Sequence, residues 1–446
     1  MRSDRRIAVI GGGIAGLAAA HAAIEAGAHV TVFEASERIG GVIRTTPFAG
    51  HPAIDEGADA FLARVPWAVD LARKVSLGDS LTSPAVGKAA VWWNRLHDIP
   101  EGLLLGLPTD LAGLARSRLL TRRGRLRAAT EIVRPRTDMT PDSIGKYVRT
   151  RFGNEVHERL VDPLVGSIYA ADTDDFSLVA VPQLAEVAVR SRSVLVAARR
   201  PTEPASGPVF YAPTAGVGAL VDAVGTAVVA RGGELRCNSA ISELAVDGQR
   251  WRVDGQTFDR VVLACPARKA ATLLATLEPS IATTLTAIPA AGVALLTLAL
   301  PAEGWPVRLS GLSGYLVPKP KQRLVTAVSF GSQKWAHWAT AEQVILRVSL
   351  GRDGLSALHL SDDELLADVL DELHAHLNLD IQPSAVRVSR WPNAFPQYRP
   401  HHGATLAAAE RALPLGLALA GASYHGIGIP ACIRSGQQAA AVTLLR

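Results

Sequence analysis

The chain has 446 residues, 48% hydrophobic and 20% charged, with a net charge of +5. Glycine and proline number 39 and 27, too few for a fibrous or low-complexity chain. At roughly 150 residues per domain, the length predicts two or three compact units, large enough to accommodate an enclosed ligand site. Cys237, Cys265 and Cys432 are scattered and unpaired in sequence, which argues against a disulfide framework or a cysteine zinc site and fits a reducing compartment. The polar residues 1–6 do not resemble a signal peptide, and the longest apolar run, 290–300, is too short to cross a bilayer. Of the 46 basic residues 39 are arginine, which with the abundant alanine indicates a GC-rich bacterial genome rather than a nucleic-acid binder.

In chain order, residues 6–10 read as a buried strand, followed by Gly11-Gly12-Gly13-Ile14-Ala15-Gly16 and a helical run over 14–26. A second strand over 29–33 ends in Glu34, 18 residues after Gly16. Strand, glycine-rich turn, helix, strand and acid in this order form the dinucleotide-binding fingerprint. Gly11 makes the tight turn, Gly13 admits a pyrophosphate to the backbone, and Gly16 lets helix and strand pack closely. The pyrophosphate meets free N–H groups at the helix start, with Ile14 and Ala15 in its first turn, and Glu34 accepts from a ribose.

Eight arginines lie between Arg116 and Arg136 against one acid, Glu131. This run reads either as a solvated helix face or as a basic amphipathic segment for anionic lipid, with leucines 111, 114, 119, 120 and 126 as its apolar side. No aromatics are interleaved for base stacking, so nucleic acid is not an expected partner. Farther on, residues 215–220 open a helix, and 234–237 and 261–264 read as strands. Residues 293–300, 324–329 and 345–350 are further strands, and 361–377 is a helix opened by a Ser361–Glu364 capping box. Adjacent His401 and His402 read as loop residues, and no metal site is expected. At the C-terminus a strand over 417–420 enters the loop 421–430 and a helix through 435–445; amides around Gly421, Gly426, Ile427, Gly428 and Ile429 can reach a flavin.

Residues 34–41, Glu-Ala-Ser-Glu-Arg-Ile-Gly-Gly, resemble the extension found in flavoproteins of the amine oxidase superfamily. The resemblance implies FAD, with Ala35, Arg38 and Gly41 near its diphosphate. It also implies Gly57, Ala58, Asp59 and Ala60 beside the isoalloxazine, Ile241 at the adenine, and Trp391 packed by the flavin. Within that superfamily the whole chain resembles the protoporphyrinogen and coproporphyrinogen oxidases. The resemblance rests on residues 162–172 (Asp-Pro-Leu-Val-Gly-Ser-Ile-Tyr-Ala-Ala-Asp), on residues 391–398 (Trp-Pro-Asn-Ala-Phe-Pro-Gln-Tyr) and on the tail 421–436. It departs at Ala171, often Gly in those enzymes, and at Arg399-Pro400-His401, usually His-Val-Gly.

The resemblance implies an α/β fold: a discontinuous Rossmann-like FAD-binding domain (1–86, 207–290, 404–446), a helical region (87–206) and a mixed-sheet substrate domain (291–403). It implies flavin-driven oxidation of a porphyrinogen with dioxygen as acceptor and without a catalytic acid or base. Composition and the absence of an apolar span favour coproporphyrinogen over protoporphyrinogen. Arg64 is expected at a propionate or as a surface arginine. Tyr169, Ala171 and Phe395 are expected at the substrate, the two aromatics serving equally well as core. The resemblance also implies a cytoplasmic protein, transient contact with a downstream ferrochelatase, and at most weak peripheral membrane contact through 116–136. Another flavin oxidation, of an amine or a carotenoid precursor, and a non-enzymatic flavin binder are the alternatives.

Overall fold

The computed structural model describes residues 5–140, 142–197, 207–380 and 382–445. Some of the expected boundaries therefore fall outside it, among them the polar start and the end of the 87–206 region. The chain divides into two compact units. The first comprises Met1–Ser83, Gly207–Pro289 and Gly403–Arg446, the second Pro84–Ser206 and Ala290–His402.

The chain opens with β1 (Arg6–Ile10), α1 (Ile14–Glu25) and β2 (His29–Phe33). It then enters the second unit as β3 (Ala89–Trp92), β4 (Leu96–Asp98), α2 (Leu111–Arg116), α3 (Arg122–Ala129), α4 (Ile144–Phe152) and α5 (Asp162–Tyr169). Back in the first unit it forms α6 (Gly218–Ala230), β5 (Glu234–Arg236) and β6 (Arg260–Leu263). The second unit is completed by β7 (Ala290–Pro301), β8 (Gly314–Leu316), β9 (Val325–Phe330), β10 (Gln343–Leu350), α7 (Asp362–Leu377) and β11 (Ala385–Pro396). Last come α8 (His402–Arg411), β12 (Leu417–Leu419) and α9 (Ile429–Leu445).

In the first unit a parallel sheet has the order β5-β2-β1-β6-β12. Its central strands are buried continuously, as strands covered on both faces must be. Helix α1 packs against α6 and α9 and is buried along almost its whole length. Two glycines permit this. A Cβ on Gly16 would lie 1.9 Å from the Gly11 carbonyl oxygen, and one on Gly436 of α9 would lie 2.1 Å from that of Ala15.

In the second unit a mixed sheet has the order β11-β7-β10-β9-β8-β3-β4, antiparallel except where β8 runs parallel to β3. The β3–β4 hairpin comes from the region expected to be helical, so segments 87–206 and 291–403 share one unit. The apolar run 290–300 is the long strand β7, and among the described residues no helix is long and apolar enough to cross a membrane. Helix α7 carries the expected capping box and buries Leu365, Val369, Leu373 and Leu377 against the sheet.

The arginine run, expected either as a solvated helix face or as an amphipathic segment for lipid, is not one helix. It forms two short helices, α2 and α3, broken before Thr121, which caps α3 by accepting from the Gly124 N–H. Leu114, Leu119 and Leu120 are buried in the protein, and of the five leucines only Leu126 is well exposed. The apolar side expected to face lipid is thus turned inward. Arg127 is also taken: its guanidinium donates to the carbonyls of Arg149, Thr150 and Arg151 at 2.9–3.0 Å and caps the end of α4. Glu131, the lone acid, is fully buried and paired with buried Arg151.

Substituting Gly436→Ala should destabilise the protein by about 1–3 kcal/mol, because Ala15 backbone cannot yield as a side chain could. Denaturant unfolding measures the difference; an unchanged midpoint would contradict the close approach of α9 to α1.

Candidate functional site

The turn from β1 into α1 is built from backbone. Gly11 has φ +113°, and a Cβ there would lie 2.7 Å from the Ala264 carbonyl oxygen. Gly13 is the N-cap of α1, offers no side chain to the first-turn N–H groups, and has open space where a Cβ would point. Glu34 closes the other side. One carboxylate oxygen accepts from the Gly12 N–H at 2.7 Å, the other from the N–H and hydroxyl of Ser36 at 2.8 and 2.7 Å. A carboxylate has about four acceptor positions, so these bonds orient Glu34 and leave capacity for ribose hydroxyls. The Asn238 and Ser239 N–H groups donate to the Ser36 and Glu34 carbonyls, each at 2.8 Å, and this strand-like pairing leads to buried Ile241.

Arg38 acts on the loop rather than pointing away from it. Its guanidinium donates to the carbonyls of Ile39, Gly41 and Ile43 at 2.6–3.1 Å, while the Gly40 N–H donates to the Gly12 carbonyl at 2.8 Å. The Gly40-Gly41 turn, with φ of +106° and +59°, is thereby pinned against Gly12-Gly13. Residues 57–60 follow the hairpin that ends at Asp55. The Asp55 carboxylate accepts from Thr45 and from the Val217 N–H, and Thr45 from the Gly218 N–H, so this hairpin caps α6.

The C-terminal loop reaches the same helix start. Gly421 accepts no larger residue comfortably: its φ is +111°, and a Cβ would lie 3.5 Å from that of Ala15. Its N–H donates to the Ser435 hydroxyl at 3.0 Å. Gly426 and Gly428 also have positive φ, and α9 starts at Ile429, six residues earlier than expected. His425 bonds Glu410 at 2.6 Å, which ties the loop to α8.

In the second unit, α5 ends at Tyr169 with Ala170 in the left-handed conformation, φ +46°. Three side chains hold this turn. Gln397, fully buried, donates to the carbonyls of Tyr169 and Ala170 at 3.2 and 3.4 Å, and to that of Phe395 at 3.0 Å. Arg352 makes a bidentate pair with Asp162 at 2.8 and 3.0 Å and also donates to the Ala171 carbonyl. Arg399 pairs with Asp353, whose own N–H donates to the Ala170 carbonyl at 2.8 Å. Burial would raise the Asp162 carboxyl, but the Arg352 guanidinium on both its oxygens more than reverses this and holds it below its usual range. Thr173 links Asp162 to His157, which burial and then nearby Arg149 push down to about 4. The rings of Tyr169, Phe176, Tyr398 and His402 form a stack, with neighbouring centroids 4.0–5.9 Å apart.

Residues 14–444 match the family described as flavin containing amine oxidoreductase. The chain belongs to the flavin-containing amine oxidoreductase family. It is 34% identical to the coproporphyrinogen III oxidase of Mycobacterium bovis over 97% of this chain and 95% of that protein. It is 30% identical to that of Bacillus subtilis over 98% and 97%. A solved structure from Exiguobacterium sp. 255-15, provisionally named a protoporphyrinogen oxidase, superposes with a TM-score of 0.86 at 28% identity and 100% coverage of both chains.

FAD is the cofactor of this flavoprotein, and the first unit fits it. The open space at Gly13, the uncapped start of α1 and the glycine loop at 421–428 leave backbone donors for a diphosphate. The structure brings Gly11, Gly13, Ile14, Ala15, Gly16, Glu34, Arg38, Gly41 and Gly421 to one helix start. Ala35 is exposed beside them, and Ile427 lies in the same loop as Gly426 and Gly428. Arg64 is exposed in the first unit, between Phe61–Leu62 and Pro66–Lys74. Trp391 and Phe395 both lie on β11 of the second unit, Phe395 opposite Ala291. Sequence reasoning missed Ser36, Thr45, Asp55 and Gln397, and it missed Arg352. Only Ser36 had a local signal, as a polar residue just after the second fingerprint strand.

Glu34→Gln should keep the shape but leave one of its bonds to Gly12 and Ser36 facing a donor. FAD affinity should fall roughly tenfold or more, the equivalent of about 1.5–3 kcal/mol. Titration of the apoprotein with FAD measures it, and unchanged affinity would remove Glu34 from the site. Stability should also depend on His157. Its folded value lies below its ordinary 6.5, so its contribution is present above that value and lost as pH falls from 6.5 towards about 4. Unfolding at stepped pH, with His157→Asn reducing the slope in that window, checks this.

Proposed function

We propose that the chain oxidises coproporphyrinogen III to coproporphyrin III, with FAD as cofactor and dioxygen as final acceptor. The observation that carries this reading is the near-full-length likeness to two coproporphyrinogen III oxidases. Overall, the macrocycle loses six electrons and six protons, and three dioxygen molecules become three of hydrogen peroxide. FAD, when bound, supplies the hydride-accepting centre. The bridging methylene that gives up hydride lies between electron-rich pyrroles, so little help from a base is needed, and the protein's work is binding and orientation.

Arg64 has no ion-pair or hydrogen-bond partner among the described residues, so its guanidinium is available for a propionate. In the second unit, the braced turn at Tyr169–Ala171 and the Phe395 ring offer an apolar wall. Arg352 serves this wall as a positioning residue, because it ties Ala171 to Asp162 without facing substrate itself. The product carries four carboxylates and awaits iron, so a ferrochelatase-type enzyme would act next. Oxidation of protoporphyrinogen IX, with two carboxylates, is the second reading, favoured by the name of the Exiguobacterium structure.

Arg64→Ala should raise the KM for coproporphyrinogen roughly tenfold or more at unchanged FAD content, the loss of one charge-assisted bond. An unaltered KM would make Arg64 a surface residue only. The ratio of kcat/KM for the two porphyrinogens under air decides between the readings; a clear preference for protoporphyrinogen overturns the first. Arg352→Ala should lower kcat more than FAD content, with partial rescue by Arg352→Lys.

A further inference from the structure

The second unit carries a cleft lined by none of the residues assigned above to cofactor or substrate. It has a volume of about 670 Å³, within the range of small-molecule sites, and lies between β4 and α2. Arg95 sits at the tip of the β3–β4 hairpin, where the Trp93 N–H donates to the Arg95 carbonyl at 2.8 Å and Asn94 takes a φ of +61°. Arg116 ends α2, and Arg118 follows it. All three are exposed, line the cleft, and have no ion pair or side-chain hydrogen bond among the described residues.

Of the two acids in the lining, Asp98 is paired with Lys88 at 3.1 Å and Glu101 stands alone, so positive charge is in excess. His97 lines the cleft as well and registers that field. Burial, then the charges of Arg95, Arg118 and Arg159, hold its imidazole below the ordinary value, against a bond to the Trp93 carbonyl that raises it. Beside it, the Trp93 ring lies 4.3 Å from the Arg159 guanidinium and 5.1 Å from the Lys321 ammonium. With Asp98 drawn to Lys88, the three arginines outnumber the remaining acid of the lining, Glu101, and an oxyanion relieves the repulsion among them.

We infer that this cleft binds a small polyanion, a molecule with two or more carboxylate or phosphate groups held by Arg95, Arg116 and Arg118. Planar guanidinium groups match both oxyanions in bidentate geometry, and three of them at one rim suit a ligand with more than one charged group. The concave shape favours a free small molecule over the flat face of a membrane.

Calorimetric titration of the FAD-loaded protein with pyrophosphate and with citrate, at low ionic strength, tests this. Saturable binding is expected for at least one of them, weakened by added salt. The Arg95→Ala/Arg118→Ala double variant should bind about tenfold more weakly or worse. Both residues are exposed, so its thermal unfolding should match the unsubstituted protein. A parallel arm measures sedimentation with vesicles containing phosphatidylglycerol and with neutral vesicles. Binding to anionic vesicles without binding of either free anion would overturn the inference in favour of a lipid surface. So would the absence of saturable binding, or equal affinity in the double variant.

Discussion

The start of α1 is crowded by backbone on three sides, from the Gly11 turn, the Ala264 carbonyl after β6 and the Ala15–Gly436 crossing with α9. Everything able to hold the cofactor depends on these approaches. Side chains at Gly16 or Gly436 would push α1 away from the sheet or α9 away from α1. Either shift would move the free N–H groups of the α1 start relative to the 421–428 loop. The remaining parts are then fastened to this point: Glu34 to Gly12, the Gly40-Gly41 turn to Gly12, and Gly421 against Ala15. The anion-binding property of the helix start arises from donors that the fold leaves over, not from a charged side chain.

Arginine dominates the basic residues, but its members have unrelated tasks. Arg127 ends a helix by taking three carbonyls, Arg38 fixes a glycine turn, Arg151 neutralises a buried glutamate, and Arg352 ties the Asp162 carboxylate to the Ala171 carbonyl from 190 and 181 residues away in the chain. A guanidinium has five donors in a fixed plane, so it can brace several backbone oxygens at once where an ammonium would act as a point charge. Buried or braced arginines of this kind raise the local charge count without creating a surface for anions. Only those left without partners do that.

The first unit was legible because its instructions are local. Glycines that need positive φ or a close approach, an acid at the end of the second strand and a glycine-rich strand-to-helix turn all lie within short stretches, and the structure places them together. The strands β7, β9 and β10 and helix α7 were legible from periodicity and a capping box. What was not legible depended on distant partners. Arg352 and Asp162 lie 190 residues apart, and nothing near either marks the other. That the leucines at 114, 119 and 120 turn inward was not legible either, because periodicity shows that a helix has an apolar side but not what covers it. The β3–β4 hairpin was absorbed into a helical region for the same reason: its partner, β8, comes more than 200 residues later.

Two departures from the related oxidases then acquire a physical meaning. Arg399 stands where the resemblance leads to a His being expected, yet it is no free cation, because Asp353 takes it in a bidentate pair at 2.6 and 3.2 Å. The same Asp353 holds Ala170 through its backbone, so the substitution braces the turn that presents Tyr169. Ala171 adds only a methyl group. The residue with left-handed backbone is its neighbour Ala170, so position 171 does not itself require glycine. That left-handed alanine costs of order 1–2 kcal/mol and persists because Gln397 and Asp353 donate to its carbonyl and Arg352 to that of Ala171. Strain of this size at a turn is retained where the turn has to keep one shape, and the braces converging on residues 169–171 impose that shape here.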